Sequence, residues 1–202
     1  MLRGQAEALL PMVDAAMREA TMPVAALDLV AATVGPGSFT GIRVGLAAAQ
    51  GIALGAALPL VGVTGFEAVA ACVDRGRGDD SWLLLTALES RRAELYVQVF
   101  ALDRAVGGPA AVMPETLSEW IEASCRALPL LIAGDAAQRA AAALAGRPRT
   151  TVSEDRTAAA VGVTRAALRR WREGTGLDRS EPLYLRPPDV TLPRRPAGAG
   201  GS

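Results

Sequence analysis

The chain has 202 residues, half of them hydrophobic and about a fifth charged, which is the composition of an ordinary folded protein with one large domain or two small ones. Its 21 acidic and 21 basic residues balance, so no overall charge draws it to nucleic acid or to an anionic membrane. The sequence contains no histidine, and every basic residue is an arginine. These absences exclude Ser-His-Asp and Cys-His catalysis, histidine zinc sites, the P-loop lysine and the protein-kinase lysine.

Alternating helical and strand periodicities predict an α/β fold. A helix is expected over residues 5–20, where Pro11 should kink the helix or shorten its first turn. The other predicted helices cover residues 41–54 with Gly55 as C-cap, 66–72, 116–126 from a capping box of Thr116 and Glu119, 136–144, and 157–173. The predicted strands cover residues 28–34, 60–63, 82–87, 94–100 and 130–133.

A charged, glycine-rich segment at residues 74–80 is the best candidate for a domain boundary. We therefore expect an N-terminal subdomain over residues 1–80 and a C-terminal subdomain over residues 81–190. The remaining residues, 191–202, are rich in proline, glycine and alanine and are expected to form a disordered tail.

Two further features have ordinary structural interpretations. Cys72 and Cys125 fit no metal-binding spacing and are expected to be reduced and buried in a cytosolic protein. Residues 44–66 carry no charge and are long enough for a membrane span, but Pro59 and the β-branched run after it favour a helix followed by a buried strand. No secretory signal is expected, because the first residues lack its apolar segment.

Residues 35–41 form the sharpest local motif, a glycine-rich loop between a predicted strand and a predicted helix. Gly35 and Gly37 permit a positive φ angle or a close backbone approach, and Ser38 or Thr40 can cap the helix that follows. Free amides and the helix dipole would then meet at one point, which makes an anion-binding site. The alternative is a tight turn whose glycines serve packing alone, since the loop lacks the P-loop lysine.

The helix predicted at residues 41–54 consists mainly of small and apolar residues. Gly45 and Ala48 would let another backbone approach closely, and only Arg43 and Gln50 share a polar edge. Such a helix has to be covered, either in its own domain or by a partner. The first helix is also apolar over a broad face, so both helices are expected to need cover.

A basic stripe on the last predicted helix consists of Arg165, Arg169 and Arg172. Contact with RNA phosphates is one interpretation of such a stripe. A solvated helix face is favoured instead, because no aromatic residue is interleaved and the net charge is zero. Trp171, on the same helix, is expected in the core.

Residues 34–45 (Val-Gly-Pro-Gly-Ser-Phe-Thr-Gly-Ile-Arg-Val-Gly), continued by residues 49–55, closely resemble the glycine block of the TsaB (YeaZ) family. Three other blocks resemble that family in the same order, namely a helical segment, a hairpin and a closing motif, at residues 9–13, 88–96 and 181–186. The resemblance therefore covers nearly the whole chain. The glycine block is highly specific, and the other three blocks are moderately so.

The resemblance implies an actin-like ATPase fold of two subdomains with a degenerate nucleotide site. It implies a non-catalytic platform that pairs with the paralogue TsaD, which transfers a threonylcarbamoyl group to the adenosine next to the anticodon in tRNAs reading codons that begin with A. The ATPase TsaE is a further component, and ATP and Mg²⁺ are used by the partner proteins. We expect this chain to be cytoplasmic, to meet tRNA only through the complex, to contact no membrane and to be no protease.

In the TsaB family the first two helices pack against the matching helices of TsaD or of a second TsaB copy. The resemblance therefore assigns a partner interface to Leu9, Leu10, Val13, Met17, Arg43, Gly45, Ala48, Gln50 and Ile52. It leaves a degenerate nucleotide or anion loop at Gly35, Gly37, Ser38, Thr40 and Gly41. No catalytic residue and no metal ligand are assigned.

The chain departs from the family pattern in two places. In the hairpin, Glu89 and Ala93 replace the usual Asp and Gly. Family members also have strands upstream of the first helix, which here begins within a few residues of Met1, so about three strands of the N-terminal sheet are expected to be missing. A misassigned start is favoured over a genuine fragment, and the shortened sheet would have an unpaired edge.

Two other functions fit the same residues. A small kinase or ATPase of this fold would hold phosphate at residues 35–41, but it would need a metal-binding Asp on the first strand. An orphan α/β domain would use the loop as a buried turn and bind nothing. Arg43 is expected to pair with a partner helix rather than with an anion, and Glu89 and Glu94 are expected to be structural, because no second feature of an acid–base site accompanies them.

Overall fold

The computed structural model describes residues 5–73, 82–125, 128–154, 159–175 and 180–186. Helices and strands alternate there in the order α1 (Gln5–Glu19), β1 (Val30–Gly35), α2 (Phe39–Ala56), β2 (Leu60–Thr64), α3 (Gly65–Cys72), β3 (Leu83–Glu89), β4 (Leu95–Ala101), β5 (Arg104–Val112), α4 (Leu117–Cys125), β6 (Leu130–Ala133), α5 (Ala137–Ala143), β7 (Thr150–Val152) and α6 (Ala160–Glu173). The predicted α/β class is confirmed. The predicted boundary at 74–80, the predicted tail and the Cys125 side chain lie outside the described residues.

The strands form two sheets. β1 and β2 pair in parallel, with Val30 opposite Leu60. The larger sheet has the order β5-β4-β3-β6-β7, in which β6 is parallel to β3 and β7 whereas β4 is antiparallel to both of its neighbours. The sequence patterns do not predict β5 and β7. β5 contains two glycines and a proline and is mostly exposed, and β7 has only three residues.

Helix α3 joins the two sheets. On one face of the larger sheet, α4 and α5 bury side chains such as Leu117 and Leu144. On the other face, Phe66 of α3 packs against Leu84 of β3. The same helix reaches the smaller sheet, where Ala68 packs with β2 and α6 in a separate cluster. Helix α6 covers β1 and β2 together with α3. The small sheet is therefore covered by helices from both of the predicted subdomain ranges.

The close approach of α6 to α3 depends on Gly162. A Cβ added at this position would lie 2.1 Å from the carbonyl oxygen of Ala68 and 2.7 Å from the sulfur of Cys72, a free and half-buried thiol. We expect Gly162→Ala to lower the free energy of unfolding by about 1–3 kcal/mol, because α6 must move away from α3. Urea unfolding measures the change.

Gly51 provides the matched control for this prediction. It lies within α2, where an added Cβ meets no atom within 4 Å. Gly51→Ala should therefore raise the free energy of unfolding by about 0.5–1 kcal/mol, since alanine is the better helix former. If both variants change the free energy of unfolding in the same direction, the close approach of α6 to α3 does not determine the effect at Gly162.

The N-terminus of α2 is capped as predicted. The Ser38 hydroxyl oxygen accepts a hydrogen bond from the backbone N–H of Gly41 at 3.4 Å. The predicted C-cap at Gly55 is wrong, because the helix continues to Ala56. It ends at Ala57, whose φ of +55° reverses the chain before Pro59.

The capping box predicted at Thr116 is also wrong. Thr116 lies in a 3-10 turn, and its hydroxyl donates to the Met113 carbonyl at 3.2 Å instead of capping a helix. A complete capping box that the sequence analysis missed begins α3. There Thr64 accepts from the backbone N–H of Glu67 at 3.1 Å, and the Glu67 carboxylate accepts from the backbone N–H of Thr64 at 2.9 Å.

Helix α2 and strand β2 occupy most of the uncharged segment, so the prediction of a helix followed by a strand is confirmed. Ile42, Leu46, Ala49 and Ala53 of α2 are buried. Of the described helices, α2 alone is long and apolar enough to cross a membrane, which is weak evidence because core helices of soluble proteins pass the same test. Only 22% of this apolar helix is buried, so most of its surface is not covered by the described part of the chain.

Candidate functional site

The glycine loop after β1 lines a cleft of about 520 Å³ between the two sheets. The opposite wall comes from the end of β3, the β3–β4 turn and the loop after β6, and includes Glu89, Ser90, Arg91, Tyr96 and Asp135. Four of the five predicted loop residues line the cleft, namely Gly35, Gly37, Ser38 and Gly41. Thr40 is exposed and is not among the lining residues.

Packing explains the glycine at position 35. Its φ angle is +118°, and a Cβ there would lie 2.8 Å from the carbonyl oxygen of Leu183. The backbone N–H of Leu183 donates to the Val34 carbonyl at 2.7 Å, which holds the segment 180–186 against the loop. The interpretation that the glycines serve packing therefore applies to Gly35. A Cβ at Gly37 would make only ordinary contacts with Ile42.

The cleft is poorly suited to a nucleotide with its metal. The Glu89 and Asp135 carboxylates both face it, and Arg91 is the one basic side chain among its described lining residues. Asp135 accepts a hydrogen bond from the Glu89 backbone N–H at 2.9 Å, and Glu89 forms an ion pair with Arg139. Because both carboxylates already accept from protein groups, and no cluster of three acidic or cysteine residues exists in the described part of the chain, the residues do not fit a metal triphosphate. The kinase or ATPase alternative gains no support here.

Glu94 ties the hairpin to the segment 180–186 through an ion pair with Arg186. The pKa of Glu94 lies below its ordinary value, chiefly because its carboxylate is hydrogen-bonded to the residue's own backbone N–H, and further because Arg186 lies beside it. The hydroxyl of Ser90 donates to the Glu94 carbonyl at 2.6 Å and closes the turn. The ion pair and the closed turn both indicate a structural role for Glu94.

This lowered pKa predicts an acid-sensitive contribution to folding. The contribution is complete above the ordinary glutamate pKa of about 4.3 and is lost as the pH falls through the lowered folded value. We expect Glu94→Gln to remove this part of the pH dependence of urea unfolding between about pH 5 and 3, whereas Glu115→Gln, at an exposed carboxyl, leaves it unchanged. Parallel pH profiles for Glu94→Gln and the unchanged chain would contradict the assignment.

The predicted interface residues lie on two sides of the α1–α2 pair. Those that face inward line a groove of about 400 Å³ between α1, α2 and β1, and they are Leu9, Val13, Gly45, Ala48 and Ile52. Met17 is half-buried, whereas Leu10, Arg43 and Gln50 are exposed. The structure therefore does not bring the whole predicted set to a single face.

The exposed side of α2 forms a nearly uncharged surface, which we call the α2 outer face. It consists of residues spaced alternately three and four apart, namely Thr40, Arg43, Ala47, Gln50 and Leu54. Leu54 is 86% exposed, and nothing lies within 4 Å of the Cβ positions at Gly51 and Gly55. This spacing is typical of a helix that packs along another helix, and the small residues permit close approach. Leu54 and Ala47 were not among the predicted interface residues, although they continue the three-and-four spacing of Arg43 and Gln50.

Arg43 is held on the outer face by two aromatic side chains. Its guanidinium carbon lies 3.8 Å from the centre of the Phe39 ring, and its Nε donates to the Tyr184 hydroxyl at 3.0 Å. The two rings lie 5.5 Å apart and are 47% and 43% exposed. Arg43 is thus ordered by its own chain, in a cluster of residue types that are enriched at interface hot spots.

The basic stripe on α6 is partly engaged with the rest of the chain. Arg165 donates to the Ala71 carbonyl at 3.2 Å, and Arg169 forms an ion pair with Asp103 at 3.3 Å. Arg165 and Arg172 are exposed, as a solvated helix face predicts, whereas Arg169 is half-buried. The prediction of a core position for Trp171 is wrong, because it is 39% exposed at the edge of the helical layer.

The overall arrangement, two sheets joined by a helix with a glycine loop in the cleft between them, is that of an actin-like ATPase type of fold. It matches the solved structure of YeaZ from Pseudomonas aeruginosa with a TM-score of 0.69 and 25% identity, over 92% of this chain and 86% of that one. A second Pseudomonas aeruginosa structure, of an uncharacterized protein with similarity to the peptidase YeaZ, gives a TM-score of 0.71 and 25% identity, over 90% and 84% of the two chains.

The family model for TsaD, tRNA N6-adenosine threonylcarbamoyltransferase, matches residues 2–166. The chain therefore belongs to the TsaD family, and its similarities make it a TsaB-like member, as the motifs predicted. The TsaB protein of Escherichia coli is 35% identical over 101 residues, 50% of this chain and 43% of that protein. TsaB of Haemophilus influenzae is 34% identical over 95 residues, 46% and 39% of the two chains.

A threonylcarbamoyltransferase itself is also similar. The enzyme of Erythrobacter litoralis is 46% identical over 65 residues, 32% of this chain and 19% of that protein. In each of these three comparisons the matched part spans less than half of the curated relative.

Proposed function

We propose that this chain is a non-catalytic platform subunit in the biosynthesis of threonylcarbamoyladenosine in tRNA, and that it pairs with a TsaD-like paralogue. In this proposal the paralogue performs the transfer, and a TsaE-like ATPase and the tRNA join the complex through it in the cytoplasm. The chain contributes a rigid surface rather than reacting groups. A second copy of the chain occupies the same surface when the paralogue is absent.

The α2 outer face is the observation that carries this proposal. Its one charged side chain, Arg43, is already stacked on Phe39, so few charges must be desolvated when a partner packs on it. Leu54 supplies an exposed apolar side chain in the last turn of the helix, and Gly51 leaves room for a partner backbone. Apolar anchors beside an ordered arginine are the usual composition of an interface core.

The cleft supports the non-catalytic part of the proposal. Glu89 and Asp135 are engaged with protein groups, and the loop glycine Gly35 is explained by the packing of Leu183. Arg91 is the one basic side chain among the described lining residues, and the chain has no histidine or lysine to stand beside it. Chemistry is therefore assigned to the partner.

Light scattering on a sizing column tests the proposal directly. The chain is mixed with the TsaD-like paralogue from the same source, and the mass of each peak is measured. A stable complex with one copy of each chain, or a larger one, is expected. Two separate peaks at micromolar concentrations would overturn the pairing, because a platform must remain bound through repeated cycles of the partner.

A further inference from the structure

The side chain of Arg43 is only partly paired within its own chain. Its guanidinium carbon lies 3.8 Å from the centre of the Phe39 ring, and its Nε donates to the Tyr184 hydroxyl at 3.0 Å. The terminal nitrogens, Nη1 and Nη2, have no acceptor among the residues that the structure describes, and they carry most of the N–H donors of the group. Since Arg43 is exposed and is held by two rings, these open donors are ordered and accessible to a partner.

The open donors lie on the α2 outer face, where a bound partner would remove the water around them. Arg43 is the one charged residue of α2, so its own helix offers no carboxylate. A guanidinium that loses its water without gaining an acceptor weakens a complex by the cost of its desolvation. The partner therefore has to supply an acceptor. A carboxylate fits best, because its two oxygens can accept from Nη1 and Nη2 in parallel.

A second copy of the chain cannot supply that carboxylate from the same surface. In a two-fold pair the α2 outer face meets itself, and α2 contains no acidic residue. The side-chain acceptors on this face are the Thr40 hydroxyl and the Gln50 amide oxygen, and both are neutral. On the neighbouring helix α1, Asp14 is already paired with Arg18. Because a charge-assisted hydrogen bond is roughly twice as strong as a neutral one, a partner with a carboxylate binds Arg43 better than a second copy does.

We propose that Arg43 is a specificity-determining residue, which binds a carboxylate of the TsaD-like partner and thereby favours that partner over a second copy of this chain. The inference rests on the proposed pairing and adds the chemistry of the contact. The partner surface is expected to present one Asp or Glu among apolar residues, opposite the second turn of α2. Phe39 and Tyr184 hold Arg43 in place for this contact, so little side-chain entropy is lost on binding.

The salt dependence of the complex tests for the carboxylate. The full chain is titrated calorimetrically with the TsaD-like paralogue from about 0.05 to about 0.5 M salt, and its affinity should fall as salt screens the attraction. Arg43→Gln should bind about 30-fold more weakly at low salt and should lose most of that dependence. Arg43→Glu should bind most weakly of all. Its affinity should rise with salt, because the two carboxylates would repel each other.

Two control variants and a second measurement make the test specific. Tyr184→Phe removes the hydroxyl that accepts from Nε but leaves Nη1 and Nη2 open, so it should weaken binding by about threefold or less. Arg172→Gln removes an exposed arginine from α6 and should leave the affinity unchanged. Sedimentation equilibrium measures self-association of the chain, which Arg43→Gln should weaken by about threefold or less. Circular dichroism checks that each variant is folded.

Three results would overturn this proposal alone. The first is a complex that Arg43→Gln weakens by about threefold or less, in which case the pairing stands but Arg43 does not select the partner. The second is an equal loss in paralogue binding and in self-association, which means that a second copy also supplies a carboxylate. The third is a loss for Tyr184→Phe as large as that for Arg43→Gln, which assigns the effect to order within this chain. If the unchanged chain forms no complex with the paralogue, the proposed function fails as well.

Discussion

Leu54→Glu is expected to abolish the complex with a TsaD-like partner, with an affinity loss of about 100-fold, or about 3 kcal/mol. The leucine is 86% exposed in this chain, so its replacement leaves the fold and its stability intact. In the complex the new carboxylate would be buried among apolar groups without a cation to pair with. Light scattering and isothermal titration with the paralogue measure the loss.

Val161→Glu is the matched control for this prediction. Val161 is 57% exposed, in the first turn of α6, and is remote from the α2 outer face. Both side chains are exposed and both changes add one carboxylate, so the comparison tests mainly the location of the change. If Leu54→Glu and Val161→Glu bind the paralogue equally well, the α2 outer face is not the interface.

Arg170→Met is expected to lower the free energy of unfolding by about 3–5 kcal/mol. The Arg170 guanidinium pairs with Glu67, and the two side chains are only 12% and 15% exposed. It also donates to the Gly62 carbonyl of β2. Its loss leaves a largely buried carboxylate without its cation and a strand carbonyl without its donor. Urea unfolding measures the effect.

Two further variants show whether the ion pair itself is responsible. Adding Glu67→Gln to Arg170→Met should recover part of the loss, because the unpaired charge is removed. Arg18→Met breaks a pair with Asp14 whose side chains are 78% and 57% exposed, and it should change stability by about 0.5 kcal/mol or less. If Arg18→Met and Arg170→Met lower the free energy of unfolding by similar amounts, burial of the ion pair does not determine its contribution to stability.

Local signals were sufficient for the elements that depend on nearby residues. The helical spacing of α1, the Ser38 cap of α2 and the alternation in β4 are examples. Each of these signals involves residues that are only a few positions apart. β5 and β7 were missed because pairing with β4 and β6 creates them, and their own residues show no strand pattern. Trp171 was misplaced because helical spacing does not show where the covered sheet ends.

The site was predictable only in part, for the same physical reason. The strand, the glycine loop and the helix are contiguous, so the loop was found. Asp135 and Glu89 face that loop from distant parts of the chain, and nothing in the spacing brings them there. The partner of Arg43 is Tyr184, which is 141 residues away. The sequence shows the Phe39 ring four residues before Arg43, but it does not show the distant tyrosine whose hydroxyl accepts from Arg43.

The segment at residues 180–186 has a consequence for synthesis on the ribosome. Leu183 packs against the hydrophobic cluster that contains Ile42 and against the one that contains Phe100, and Arg186 pairs with Glu94 of the hairpin. Two of the hydrophobic clusters are therefore incomplete until these late residues leave the exit tunnel. The nascent chain must therefore wait with apolar surface uncovered, and translation speed and chaperone supply during that interval will influence its yield.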